Sequence, residues 1–316
     1  MLSRSQLLTT TKVHKSRSNR SFDSAELFRT AIFSDNAAYG PLPRQVDLRR
    51  WMSPIVNQDY MNTCVSSAFA SACEYLLKRR SGVYTPISRL FIYFNGQIID
   101  QRTRNVEDAG ASRKNVVVGM RKYGICKEEI WPYDRRLLNR KPPPDVYLAA
   151  RQHTIIPLRF PLEVNAIRTC LANQIPAVIA VKMKYEINGE ANANGGYISI
   201  PDPSDYEIAY LTSHAILIVG YDDDTEHFIA RNSWGRDWGY YGYCFLPYQY
   251  LLDERLVNYP DYSWAITQIV PRMDYSPPMQ SLATTQYYHT DSRRRRSRKK
   301  LRQSSTTMLL MSTTGV

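Results

Sequence analysis

The chain has 316 residues, 43% hydrophobic and 22% charged, with Lys and Arg exceeding Asp and Glu by 12. That length is enough for one catalytic unit of two lobes around a cleft. No apolar run approaches the ~20 residues that span a bilayer, and no internal repeat, phosphate-cradling glycine loop or metal-ligand spacing occurs, which excludes a helical membrane protein and argues against nucleotide or metal chemistry.

The charge is unevenly placed. Residues 1–40 carry six Lys/Arg against three Asp/Glu, and residues 275–316 carry eight against one, so the termini hold +10 of the formal +12. The body between them is nearly neutral. The leader is basic and rich in Ser and Thr and lacks an apolar core of signal-peptide length. Within it, residues 21–33 can form a short helix, with Ser21 or Asp23 as cap and Phe22, Leu27, Phe28, Ile32 and Phe33 as its apolar positions. The five cysteines, at 64, 73, 126, 170 and 244, are an odd number without obvious pairing. A reducing, intracellular location is therefore expected over secretion.

The strongest helical signal starts at Cys64. Val65, Ala68, Phe69, Ala72, Cys73 and Leu76 recur at i, i+3, i+4, i+7, i+8 and i+11, one buried face of an α-helix. Asn62 or Thr63 can cap it, Lys78, Arg79 and Arg80 complement its negative pole, and Gly82 can take the left-handed stop. Cys64 thus sits in the first turn, where free N–H groups and the positive dipole end favour a thiolate. A small buried cysteine is the bland alternative. Further on, residues 87–99 and 112–123 read as helices, the second stopped at Gly124.

Strands dominate the second half, at 175–183, 214–221 and 226–232. Segment 184–212, with Asn194-Gly195-Gly196 and Pro201-Asp202-Pro203, reads as a loop beside His214. Asp222, Asp223, Asp224 and Thr225 are turn formers between two β-rich runs. Folding about them pairs residues whose numbers sum to 446 or 447, which sets His214 opposite Asn232 or Ser233. An amide there can orient an imidazole whose other nitrogen faces a thiol. The acidic triplet reads as a turn and not as a metal site. The chain closes with RRRRSRKKLR, from Arg293 to Arg302, set in Ser, Thr, Gln and Tyr. A solvated tail is the default, and contact with nucleic acid or nuclear import is the sharper reading.

Several separated blocks carry a resemblance to the papain/cathepsin family of cysteine peptidases. LPRQVDLRRWMSPIVNQDYMNTCVSSAFA resembles the start of its mature enzymes, with a Gln-x5-Cys core. TSHAILIVGYDDD and RNSWGRDWGYYGYCFLP resemble its histidine and asparagine blocks. EDAGASRKNVVVGMRKYGICKEEIWPYD is similar to the branch found in bacteria and large DNA viruses. The resemblance implies an α+β, two-lobe papain-like fold, with a helical left lobe (41–150), a β-barrel-like right lobe (151–270) and an active-site cleft between them. The flanks are a leader (1–40) and a tail (271–316).

By the same resemblance Cys64 is the nucleophile, His214 the general base and acid, Asn232 the residue that orients it, and Gln58 an oxyanion donor. Gly110, Ala180 and Ala215 contact substrate, and Trp234 covers the His–Asn hydrogen bond and is grouped with the substrate-binding residues. A polypeptide substrate, a monomer and no cofactor or metal follow. The sequence departs from the family in Met61, which removes a common disulfide, in Val65, which removes an aromatic wall, and in Thr212-Ser213 before the histidine. The leader is shorter than the family's inhibitory propeptides. It is expected to pack on the body or, alternatively, to lie across the cleft.

Overall fold

The computed structural model of the protein describes residues 41–101, 106–184, 187–202, 211–257 and 262–272. The helix expected at 21–33 and the basic run from Arg293 to Arg302 lie outside the described residues. The elements that build the site run β1 (Gln45–Asp47), α1 (Cys64–Ser81), α2 (Arg89–Gln101), α3 (Arg113–Tyr123), α4 (Pro144–Ala150) and β2 (His153–Pro161). They continue as α5 (Val164–Ala172), β3 (Ala177–Lys184), α6 (Ile187–Ala193), β4 (Leu211–Asp222), β5 (His227–Arg231), β6 (Tyr243–Pro247) and β7 (Tyr262–Pro271).

Helix α1 ends as its sequence dictates, with Gly82 at φ 73° donating its N–H to Lys78 O at 2.8 Å. Its periodicity predicts one buried face, yet every residue from Val65 to Tyr75 is buried. Ser66, Ser67 and Ser71 are small enough for the polar side to approach neighbours closely, so α1 is packed between α2 and the strands β4 and β7. Full burial of a side chain such as Phe69 contributes about 1.5–3 kcal/mol.

Helix α2 starts two residues later than the apolar run, because Ser88 precedes it and its Oγ accepts the Phe91 N–H at 3.1 Å. Helix α3 is capped by Ser112, whose Oγ accepts Asn115 N–H at 3.3 Å. It stops at Gly124 (φ 86°), where a Cβ would lie 1.9 Å from the Ala150 carbonyl oxygen. Only glycine lets the chain pass there.

All ladders in the sheet are antiparallel, in the order β2-β7-β3-β4-β5-β6, with β1 added to β4. The sheet supplies the β lobe, and its first strand comes from the very start of the described chain, through Val46 opposite Tyr221. Edge strand β2 carries Pro157 at a register shift, where a missing N–H is tolerated. The main core runs from α1 into the sheet, and a smaller one around Phe91, Trp131 and Val146 fills the helical lobe.

Two local expectations are corrected. The β4–β5 turn is Asp223–Thr225 with Glu226 at φ 57°, one residue beyond the expected position. Next to the turn Tyr221 faces Phe228, and a bulge between Ile218 and Gly220 then moves the ladder back by one residue, so that Leu217 faces Arg231. His214 is therefore opposite neither Asn232 nor Ser233 in that ladder; it pairs with Val181 of β3. The acidic triplet is consumed by structure: Asp222 accepts Asp224 N–H at 2.9 Å, Asp223 pairs with Arg168 and accepts from the Tyr248 hydroxyl, and Asp224 pairs with Arg44. Segment 184–212, read as a loop, contains α6, whose weak Asn/Gly-rich propensity is overridden by burial of Ile187 and Ala191 one turn apart. Strand β4 also begins earlier, at Leu211, and places His214 inside the strand.

Candidate active site

The first turn of α1 presents Cys64 to an open cleft of about 570 Å³. Its N-cap, Thr63, makes no side-chain capping bond to the helix. Thr63 Oγ1 instead meets the Tyr133 hydroxyl at 2.6 Å, and the Asn62 amide donates to Asp108 O at 2.7 Å. The helix start is thus left with unspent N–H groups, the feature an anionic reaction centre needs. Burial pushes the Cys64 thiol pKa up, opposed by the polar backbone of Ala215 (the residue after His214), Val65 and Cys64 and by the charge of Arg113. The preformed thiolate expected from helix position alone is thus countered by desolvation, and the thiol needs a base.

The candidate base lies on β4. His214 Nε2 lies 2.7 Å from Asn232 Oδ1, and the Ser233 N–H donates to the same oxygen at 2.8 Å. A backbone donor identifies that atom as oxygen, so His214 Nε2 must carry the hydrogen and Nδ1 keeps its lone pair. Burial lowers the His214 pKa to about 4, with the Asn232 hydrogen bond raising it in opposition. The imidazole is therefore neutral near pH 7. Trp234 stacks on it, ring centroids 4.4 Å apart, and is itself met edge-on by Trp238 at 5.1 Å.

Gln58 reaches the site through a short antiparallel bridge between Asn57 and Trp234. Its N–H donates to Ser233 O at 2.7 Å, and Gly235 N–H donates to Val56 O at 3.1 Å. Its side-chain oxygen accepts the Ser233 hydroxyl at 2.6 Å, and its Nε2 donates to Met61 O at 2.8 Å. One of the two amide hydrogens is thereby spent internally and one is left for a ligand. Tyr133 holds the same turn from below, donating to Gln58 O at 2.9 Å, with the Arg89 guanidinium 3.5 Å over its ring.

Gly110, Ala180 and Ala215 line the cleft together with Cys64 and Val65. Gly110 adopts φ 80°, and a Cβ there would meet nothing, so glycine is required by backbone conformation and not by space. Trp234 is not among the cleft-lining residues; its place is against His214. Sequence reasoning placed Ser233 only as a possible neighbour of His214, missing its bonds to Gln58, and it missed Arg231. The latter is buried beside Asn232 and donates to Ser53 O at 2.8 Å, Pro54 O at 2.5 Å and Ser71 Oγ at 3.3 Å. Both residues flank Asn232, the one signal that pointed to them.

Comparison with known proteins agrees with this architecture. Residues 42–250 match the model of the papain family cysteine proteases. An uncharacterized peptidase C1-like protein of Acanthamoeba polyphaga mimivirus is 28% identical over 229 residues, which cover 68% of this chain and 70% of that protein. Human cathepsin L2 is 23% identical over 243 residues, 71% of this chain and 65% of its own length. Among solved structures, the cysteine protease xylellain of Xylella fastidiosa superposes with a TM-score of 0.63 at 29% identity, covering 73% of this chain and 88% of that one. With two thirds of its length matched by the family model, the chain belongs to the papain family of cysteine proteases.

Proposed function

We propose that this cysteine peptidase works through Cys64, His214, Asn232 and Gln58. Cys64 Sγ attacks the scissile carbonyl carbon while His214 Nδ1 takes the thiol proton. The oxygen of the tetrahedral intermediate is received by the remaining Gln58 amide hydrogen and the Cys64 N–H. Collapse breaks the C–N bond, the imidazolium protonates the leaving amine, and water, deprotonated by His214, releases the acyl group from sulfur. The reaction balances on these residues and water alone. The observation that carries this reading is the double acceptance by Asn232 Oδ1, from Ser233 N–H and from His214 Nε2, which leaves a lone pair on Nδ1. Gly110, Ala180 and Ala215 bind the substrate beside Cys64. The test is peptide cleavage by wild type and Cys64→Ala, mapped by mass spectrometry. Turnover in the variant equal to wild type would refute the assignment.

In this reading residues 41–270 form the peptidase domain, acting as a monomer, with 1–40 as a regulatory leader and 271–316 as a basic tail. All five cysteines are free, which supports work inside a reducing compartment. No described helix is long and apolar enough to cross a membrane. The density of Arg293 to Arg302 supports nucleic-acid contact or nuclear import by the tail. Deleting residues 285–316 then weakens DNA binding at low salt or alters cellular distribution; no change in either disposes of it.

A further inference from the structure

The cleft loop around Gly110 has no regular secondary structure, yet it is tied to the nucleophile's turn by a continuous series of hydrogen bonds. The Asp108 carboxylate accepts the Asn62 N–H at 3.1 Å and 3.2 Å, through Oδ1 and Oδ2. The Asn62 side chain returns a bond to Asp108 O at 2.7 Å. Tyr93, fully buried on α2, donates its hydroxyl to Asp108 Oδ1 at 2.5 Å and accepts the Gly110 N–H at 3.0 Å. One line of contacts thus runs from Gly110 N–H through Tyr93 Oη to Asp108, and from there to Asn62, two residues before Cys64. Burial and the neighbouring carboxylate both raise the Tyr93 pKa, so its hydroxyl remains a donor across the working pH range.

The loop's other end is also held. Gln101 Nε2 donates to Glu107 O at 2.9 Å, and Gln101 Oε1 accepts Glu107 N–H at 3.1 Å. No covalent bond does this work, because every cysteine is free. Hydrogen bonds to a charged acceptor are the stronger class. They replace loop entropy that substrate would otherwise have to overcome on binding.

We propose that Asp108 and Tyr93 are positioning residues of the substrate cleft: together they hold the Gly110 backbone at a fixed distance from the Cys64 turn, so that peptide binds a preformed edge. The inference rests on the peptidase reading above, and on Gly110 as part of the cleft wall. Neither side chain touches the reacting atoms. Their loss acts on binding before it acts on chemistry, and a merely structural role would lower stability without that split.

The experiment uses the full chain carrying Tyr93→Phe, Asp108→Ala or Asp108→Asn. Peptide turnover is measured as separate kcat and KM, and amide hydrogen exchange is read at residues 109–112. Tyr93→Phe and Asp108→Ala are expected to raise KM about tenfold with kcat within about threefold, and exchange at 109–112 to quicken by about tenfold. Asp108→Asn, which keeps an acceptor oxygen, falls between wild type and Asp108→Ala. Tyr93→Phe removes a single oxygen and carries the test if Asp108→Ala does not fold. Unchanged KM and exchange in Tyr93→Phe, or a defect confined to kcat, overturns the proposal. A wild-type chain with no peptide turnover sinks the peptidase reading instead, and the exchange measurement still decides the clamp.

Discussion

Ser233 holds Gln58 at both ends: its carbonyl accepts the Gln58 N–H at 2.7 Å, and its hydroxyl donates to Gln58 Oε1 at 2.6 Å. The oxyanion donor proposed above is thus aimed by the residue that follows Asn232. Removing the donor itself, Gln58→Ala, is expected to cost about 10²–10³ in kcat with little change in KM. Ser233→Ala leaves the amide in place but releases its oxygen, and a loss of about tenfold in kcat is expected. Steady-state kinetics on one peptide substrate checks both, and a Ser233→Ala enzyme as fast as wild type refutes the aiming role.

The imidazole makes the fold acid-sensitive. An unfolded His214 takes up its proton as pH falls through about 6.5, while the folded one, held down by burial, waits until about 4. Between those values the unfolded state binds more protons, so stability falls as pH falls, by on the order of 3 kcal/mol in all. Above about 6.5 this contribution is constant. Urea unfolding of wild type and His214→Gln from pH 7 to pH 4 tests it: the variant should lose less stability across that window, and parallel curves would exclude the effect.

The thiols separate by access. Cys73, Cys126, Cys170 and Cys244 are buried, and burial raises all four, Cys126 and Cys244 to about 12. Cys64 alone among them lines the cleft. Iodoacetamide at pH 7.5 should modify Cys64 first, at one equivalent per chain, and His214→Ala should slow that labelling at least about tenfold. Equal rates at Cys64 and Cys73 would contradict the assignment of the nucleophile.

Among the described residues Arg231 is a buried cation with Ser53, Pro54, Ser71 and Tyr243 as partners. Its charge also lowers the pKa of Glu74, a carboxyl whose own burial raises it. Arg231→Ala strips that compensation and should destabilise the protein by about 3–5 kcal/mol, read as a lower urea midpoint. A change below about 1 kcal/mol would show that the network contributes little.

Much of this was legible before any coordinates. Helix α1 and its glycine stop followed from spacing and terminus chemistry, and the β4–β5 hairpin from a polar turn between apolar runs. What the residues could not reveal was register. The later turn, with Glu226 at positive φ, displaced the ladder by at least two residues from the simple pairing rule, the Ile218/Gly220 bulge moved it back by one, and the His214–Asn232 contact forms between side chains beyond its end. The α6 helix was hidden for a different reason, since tertiary burial outweighs the weak propensity of its Asn and Gly residues. The bonds made by Ser233 and Asp108 escaped because their partners, Gln58 and Asn62, are 175 and 46 residues away in sequence.

The Asn57–Trp234 bridge has a consequence for the life of the molecule in a cell. Because Gln58 meets Ser233 where that crossing closes, a half-made or heat-damaged copy in which it is open loses the aim of the proposed oxyanion donor. Disarmament on damage would thereby be built into the proposed centre.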